Sequence, residues 1–226
     1  VRYVHLGTGN YHERTARAYT DYGLLSSDQE LGQDVQKIVQ QIAALGKAGK
    51  LKAILQSPFT LHSGVLELIE IQRQKALQGQ PALIQAKMNA LTEPSVIRAL
   101  YGASQAGVHI DLIIRGICCL RPGVKGVSEN IRVRSIVGRF LEHMRVYCFG
   151  VDEEREVLRS SADWMDRNLF RRVEACVPVR DPVLAKRVYR EAMSNYLSDN
   201  TQAWELTSDG SYRKLKSRGK AHTAQG

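Results

Sequence analysis

The sequence predicts an α/β fold in which helices cover both faces of a mixed sheet. Three observations carry that expectation. Strand-like and helix-like segments alternate from about residue 51 to 115, the pattern of a sheet buried on both sides. Shorter strand-like runs then follow, the last ending near residue 179. Finally, the turn at residues 7–10 returns in residue type at 160–163, which points to two like halves.

Taken in order, residues 1–6 read as a strand. Ser27-Asp28-Gln29-Glu30 has the form of a capping box, and an apolar stripe at Leu31, Val35, Ile38, Ile42 and Leu45 predicts the helix behind it. The run GKAGK at 46–50 breaks the pattern and marks a domain boundary. Residues 51–57 read as a short strand stopped by Pro58. Val65, Leu68, Ile69 and Ala76 space out as a helix, and ALIQAKM at 82–88 as a strand. Pro94 falls at the first position of a helix carrying Val96, Ile97 and Leu100. VHIDLIIR is a strong buried strand ending at Arg115. Four shorter strands follow: IRVRSIV, RVYCF, EVLRSS and RRVEACVPV. A last helix begins after Asp181-Pro182, with Leu184, Val188, Ala192 and Tyr196 on one side.

The 226 residues carry a net charge of +9, which bears on partners and solubility, not on fold. Residues 115–145 set Arg115, Arg121, Lys125, Arg132, Arg134, Arg139 and Arg145 against Glu129 and Glu142. Guanidinium forks match phosphate oxygens better than ammonium groups do, so this block predicts an anionic ligand. The stretch from Arg213 onward holds bases and no acid and reads as a solvated, disordered tail. Cys118, Cys119, Cys148 and Cys176 make no C-x-x-C pair and no zinc spacing, so buried thiols in a reducing compartment are expected. The best apolar run, GVHIDLIIRGICCL, is broken by Asp111 and Arg115 and falls short of a membrane-spanning helix.

Laid on itself so that Gly7 meets Ser160, an offset of 153, the chain matches Thr8 with Ser161, Gly9 with Ala162 and Asn10 with Asp163. Tyr11 then meets Trp164, Arg14 meets Arg167 and, further on, Asp21 meets Glu174. Small residues let backbone N–H groups approach an anion, and the hydroxyl adds a donor. Arg14 and Arg167 either pair with phosphate or brace the turn through Asp21 and Glu174. A dinucleotide fingerprint is disfavoured, because His12 stands where its third glycine is needed. Among the six histidines, His222 lies in the tail, His62 is expected on a surface turn and His109 opens a strand. His143, in GRFLEHMRVYCFG, stands two residues before Arg145 and 18 before Ser161. An imidazole so placed can attack phosphorus or shuttle a proton, while the arginine holds charge on the equatorial oxygens.

These residues resemble a known family. The stretches HLGTGNYHERTARAYTDYGLL, KMNALTE, LYGASQAGVHIDLIIRGICCLRPGVKGVSENI, RSIVGRFLEHMRVY and SSADWMDRNLFRRVE, in order over most of residues 2–178, are similar to the C-terminal part of bacterial polyphosphate kinase. That resemblance implies a phospholipase D-like fold of two related domains facing a site with two histidines. It implies that the phosphorylated histidine and the Mg²⁺ ligands lie upstream, and that this chain, which begins inside a strand-like sequence, is a fragment inactive by itself. It places His143 at the second family histidine, as the catalytic residue of this chain, and Tyr19 and Arg115 at nucleotide- or phosphate-contacting positions. Thr8, Asn10, Arg145, Ser161 and Asp163 complete the expected phosphate-binding set. His12 departs from the asparagine frequent in the family.

The expected organisation is therefore the end of a first phospholipase D-like domain over 1–50, a nearly complete second one over 51–205, and a basic tail over 206–226. The expected substrates are ATP or ADP and inorganic polyphosphate, with Mg²⁺ as cofactor, in a homo-oligomer that is cytoplasmic, free or membrane-associated, and takes no nucleic acid. Two alternatives compete. A phosphodiesterase of the same fold needs His-x-Lys, and His143 is followed by Met144-Arg145. A nucleic-acid-binding module needs aromatic platforms, and between Arg115 and Arg145 only Phe140 is aromatic.

Overall fold

Alternation along the central strands decides the architecture, as seen in a computed structural model that describes residues 1–44, 49–217 and 219–225. The chain opens with β1 (Val4–Gly7), α1 (Glu13–Ala16), β2 (Tyr19–Thr20), β3 (Gly23–Ser26) and α2 (Gln29–Ala44). It continues through β4 (Leu55–Ser57), α3 (Leu61–Leu77), β5 (Leu83–Met88), α4 (Pro94–Gln105), β6 (His109–Ile114) and β7 (Ile131–Ile136). Then come β8 (Leu141–Glu142), β9 (Arg145–Phe149), β10 (Glu156–Ser160) and β11 (Glu174–Pro178). α5 (Pro182–Tyr189) runs through a π-helical turn at Arg190–Ser194 into α6 (Asn195–Ser198), and β12 (Ala203–Leu206) and β13 (Tyr212–Lys214) close the sequence of elements.

Nine strands form one mixed sheet in the order β13-β12-β7-β6-β5-β9-β10-β11-β4. Strands β5, β6 and β7 are parallel, joined by α4 and a loop, and the remaining pairs are antiparallel. On β9, Tyr147 and Phe149 enter the core beneath α3 and α4, whereas Val146 and Cys148 enter the core beneath α5 and α6. Both faces are thus covered by helices, as the sequence predicts. Each buried aliphatic side chain contributes about 1.5–3 kcal/mol.

Caps fix where the helices start. Glu93 accepts from the N–H groups of Ser95 and Val96, with Pro94 at the first helical position. Asp181 accepts from the Leu184 N–H ahead of Pro182. For α2 the cap is Asp28 and not Ser27: Asp28 Oδ1 accepts from Glu30 N at 2.8 Å and Leu31 N at 3.0 Å. A carboxylate satisfies two orphan donors there and also suits the positive end of the helix. The strand expected over 51–57 shrinks to its last three residues, because the N–H groups of Lys52, Ala53 and Ile54 all donate to Asp34 Oδ2 instead of to a neighbouring strand. Leu45 and most of the 46–50 break lie outside the described residues.

The tail departs from expectation. Its composition predicts solvated chain, yet β13 pairs with β12 at Trp204↔Lys214, and Leu215 and Ala224 pack against the core beneath α5 and α6. Asn200 exchanges hydrogen bonds with the backbone of His222, and Asp199 Oδ2 accepts from Ala224 N at 2.7 Å. Arg213, Lys214, Lys216 and Lys220 are exposed while the described backbone is satisfied inward, so charge density misleads here.

The two halves share their register. In the β1–β3 ribbon Gly7 pairs with Gly23, and at the same offset Ser160 of β10 pairs with Cys176 of β11. The Thr8 N–H donates to Tyr22 O at 3.3 Å, and the Ser161 N–H donates to Ala175 O at 3.0 Å. The correspondence reaches the caps, where Asp28 serves Leu31 as Asp181 serves Leu184. The ribbon meets the second half through β2, which runs parallel to β8.

Candidate active site

In each repeat the residue just after the leading strand carries a hydroxyl that donates to a carboxylate 13 residues downstream. Thr8 Oγ1 donates to Asp21 Oδ1 at 2.6 Å, and Ser161 Oγ donates to Glu174 Oε2 at 2.5 Å. The hydroxyls, not Arg14 and Arg167, brace the turns. The two loops face one cavity of about 370 Å³ lined by Thr8, Asn10, His143, Arg145, Ser161 and Asp163. Met165, Arg167, Asn168, Arg172 and Glu174 complete its wall.

His143 reaches this cavity because β8 lies beside β2, with Thr20 Oγ1 accepting the His143 N–H at 3.3 Å. Its Nδ1 lies 3.0 Å and 3.1 Å from the two Asp21 carboxylate oxygens, and its Nε2 lies 3.3 Å from Arg145 Nη1. A carboxylate only accepts, so the hydrogen-bond network assigns the proton to Nδ1 and leaves Nε2 facing the arginine and the cavity. Burial pushes the Asp21 carboxyl up, but hydrogen bonds from His143 and Thr8 and the charge of Arg145 more than offset this and hold it below its ordinary value.

Arg145 is fixed by Asp163 through a two-point bridge, Nε to Oδ1 at 3.2 Å and Nη2 to Oδ2 at 3.1 Å. Asp163 Oδ1 also accepts from Asn89 N at 2.6 Å. Asp163 therefore holds the arginine while itself lining the cavity. Tyr19 sits beside the histidine, with ring centroids 5.3 Å apart. Arg115 lies behind β8, where its Nη1 donates to Glu142 O at 3.0 Å, and it lines the adjoining hollow formed by residues 136–142.

Beneath β8 lies a buried charge pair that the sequence does not announce. Lys87 Nζ donates to Glu142 Oε2 and sits 3.6 Å over the Tyr196 ring. Thr20 Oγ1 and Tyr196 Oη also donate to Glu142, at 2.9 Å and 3.0 Å. Asp21 as the partner of His143 was equally hidden: its signal was the match to Glu174, but the pairing spans 122 residues. His62 lies in the first turn of α3, not on a surface turn, with Nε2 2.8 Å from Ser95 Oγ. Of the cysteines, Cys148 and Cys176 are buried as expected, whereas Cys119 is exposed, and all four are free.

Among the described residues, no group of three or more His, Cys, Asp or Glu side chains is arranged to hold a metal ion. No helix in them is long and apolar enough to cross a membrane.

Comparison with known proteins gives one consistent picture. Residues 54–225 match the family model described as polyphosphate kinase C-terminal domain 2, and residues 1–50 match polyphosphate kinase C-terminal domain 1. The chain is 61% identical over 214 residues to a polyphosphate kinase of Xylella fastidiosa, covering 95% of this chain and 31% of that protein. It is 56% identical over 224 residues to one of Burkholderia multivorans, covering 99% and 33% respectively. Its structure resembles the crystal structure of polyphosphate kinase from Porphyromonas gingivalis at a TM-score of 0.91 and 37% identity, over 99% of this chain and 34% of that one. The chain thus spans about a third of the length of the relatives it matches.

Proposed function

This chain belongs to the polyphosphate kinase family, and from that premise we propose that its cavity is one side of the site where the terminal phosphate of ATP passes, through a phosphohistidine, to inorganic polyphosphate. The observation that carries the reading is the His143–Asp21 pair, set between two like loops and beside Arg145. In the first step a histidine nitrogen bonds the γ-phosphorus as the P–O bond to ADP breaks. In the second, the terminal oxygen of polyphosphate bonds phosphorus as the P–N bond breaks. By resemblance that nucleophilic histidine lies outside this chain. Glu174, the counterpart of Asp21, lines the same cavity and offers a like carboxylate support for it.

His143 serves the transfer in this reading. With Nδ1–H held by Asp21, His143 enters the step protonated on both nitrogens, gives the Nε2 proton to the departing oxygen and becomes neutral, and in the reverse direction the neutral Nε2 takes that proton back. Arg145, Arg167 and Arg172 supply positive charge for the non-bridging oxygens, at no cost of reorganisation for the arginine that Asp163 holds. Thr8, Asn10 and Ser161 line the approach. Tyr19 and Arg115 flank the nucleotide side, as carried over by resemblance. Mg²⁺, which the family's ATP chemistry implies, finds no ready set of ligands among the described residues and would be held by others. Four free thiols support a reducing, cytoplasmic setting. Homo-oligomeric assembly is carried over from the resemblance alone.

By itself, the 226-residue chain should bind polyphosphate without turning over. Incubating the purified chain with ATP and assaying for polyphosphate tests this, and ATP-dependent synthesis by this chain would overturn it.

A further inference from the structure

The side chain of Gln225 closes on the backbone of Phe140, 85 residues earlier in the chain. Its Oε1 accepts from Phe140 N at 2.8 Å and its Nε2 donates to Phe140 O at 2.9 Å. The same Nε2 also donates to Glu142 Oε1. One primary amide thus satisfies both backbone groups of one residue and one oxygen of the buried Glu142 carboxylate, a match of donors and acceptors that no other side chain type but asparagine offers.

Two features mark this as a built contact. Gly138 leaves the space for it, since a Cβ there would stand 2.4 Å from Gln225 Oε1 and 2.7 Å from Gln202 Oε1. The approach of the tail is itself held, by Ala224 N on Asp199 and by Thr223 Oγ1 2.8 Å from Thr201 Oγ1.

What Gln225 grips is the segment that delivers the histidine. β8 is two residues long, so its ladder with β2 is too short to hold itself. His143 follows Glu142 directly, and Glu142 is held on one oxygen by Lys87 and Thr20 and on the other by Tyr196 and Gln225. Releasing Gln225 frees Phe140 and loosens the strand from which the imidazole meets Asp21.

We propose that Gln225 is a positioning residue in a strap formed by residues 223–225, which holds Phe140 and Glu142 so that His143 and Asp21 meet across the cavity. This rests on the phosphotransfer reading above for its kinetic consequence, though not for its geometry.

The test uses the full-length polyphosphate kinase that carries this chain, with Gln225→Ala, Gln225→Glu and, as a control in the same tail, Leu215→Ala. Glutamate keeps the size but loses the donor to Phe140 O and faces the Glu142 carboxylate. Both Gln225 variants should lower kcat about ten- to a hundredfold with KM for ATP within about twofold, and Leu215→Ala should leave kcat near the parent value at a comparable loss of Tm. Hydrogen exchange over residues 139–144 should quicken in the Gln225 variants alone. Parent-like kcat in them, or an equal kcat loss in Leu215→Ala, overturns the proposal. If the parent makes no polyphosphate, the functional reading fails. The exchange measurement then decides the inference separately, unchanged exchange overturning it.

Discussion

Asp21 Oδ1 and His143 Nδ1 stand 3.0 Å apart, and each comes from a different repeat. Asp21 follows β2 in the first half, and His143 follows β8 in the second. The side chain that orients the imidazole is thus supplied across the junction of the halves, and the site exists only when the two halves are docked.

Replacing Asp21 by asparagine keeps the shape but turns one acceptor oxygen into an N–H donor; with Thr8 donating to the remaining oxygen, the amide nitrogen faces Nδ1 and the proton assignment is lost. In the full-length enzyme kcat should fall about 10²- to 10⁴-fold, as expected when an imidazole is left in the wrong tautomer. Far-ultraviolet circular dichroism should be unchanged. An Asp21→Asn enzyme with parental kcat would remove His143 from proton transfer.

The same pair sets a pH dependence. The Asp21 carboxyl lies below its ordinary value of 3.8 in the folded chain. Its contribution to stability is therefore complete above the unfolded value and is lost as pH falls through the folded one, in the region below about pH 4. Urea midpoints followed from about pH 6 downward should drop more steeply for the parent than for Asp21→Asn. Parallel curves would contradict the assignment.

Lys87 behaves oppositely in sign. Burial pulls its ammonium down to about 8 from 10.5, only partly countered by Glu142. Since the folded value is the lower one, the destabilising cost is complete below about pH 8 and is relieved as pH rises toward 10.5. Lys87→Met should abolish that alkaline gain and cost about 3–5 kcal/mol at neutral pH, because it leaves Glu142 charged and unpaired. Adding Glu142→Leu should recover much of the loss. Chemical denaturation at pH 7 and pH 10 reads both effects.

The twin hydroxyls should be worth similar amounts. Thr8→Val and Ser161→Ala each remove a hydrogen bond to a carboxylate, and each should cost about 1.5–3 kcal/mol by urea denaturation. A large cost at one and none at the other would show that the repeats share shape but not energetics.

Polyphosphate should displace a labelled ATP analogue from the full-length enzyme, while DNA or RNA of equal charge displaces it poorly. The affinity should fall with rising salt, as for any polyanion held by arginines. Equal displacement by nucleic acid would favour a binding module over a kinase.

The main sheet was legible because burial on two faces leaves a strong mark. β5 and β6 read as apolar runs, and Pro94 and Asp181 announced their helices through local chemistry. β2 and β8 were not legible, since two-residue strands carry no period to detect. β13 hid beneath an arginine and a lysine that face solvent, and β12, with Glu205 among its four residues, carries too short a pattern to detect. In the site, the matched turns and His143 could be read from residue types. The carboxylates could not be assigned partners, because Asp21 and Asp163 are chosen by tertiary packing over residues distant in sequence. Lys87 and Glu142 look like surface charges until the sheet encloses them.

The equal spans from hydroxyl to carboxylate, Thr8 to Asp21 and Ser161 to Glu174, impose a constraint on length. Each span closes a ribbon whose side chains alternate in and out, so one inserted residue would turn a whole strand to its opposite face. At Gly79, between α3 and β5, an added Cβ would meet nothing within 4 Å, so the bend faces open space and an extra residue has somewhere to go. A random-insertion library would recover clones at that bend and almost none inside the twin spans.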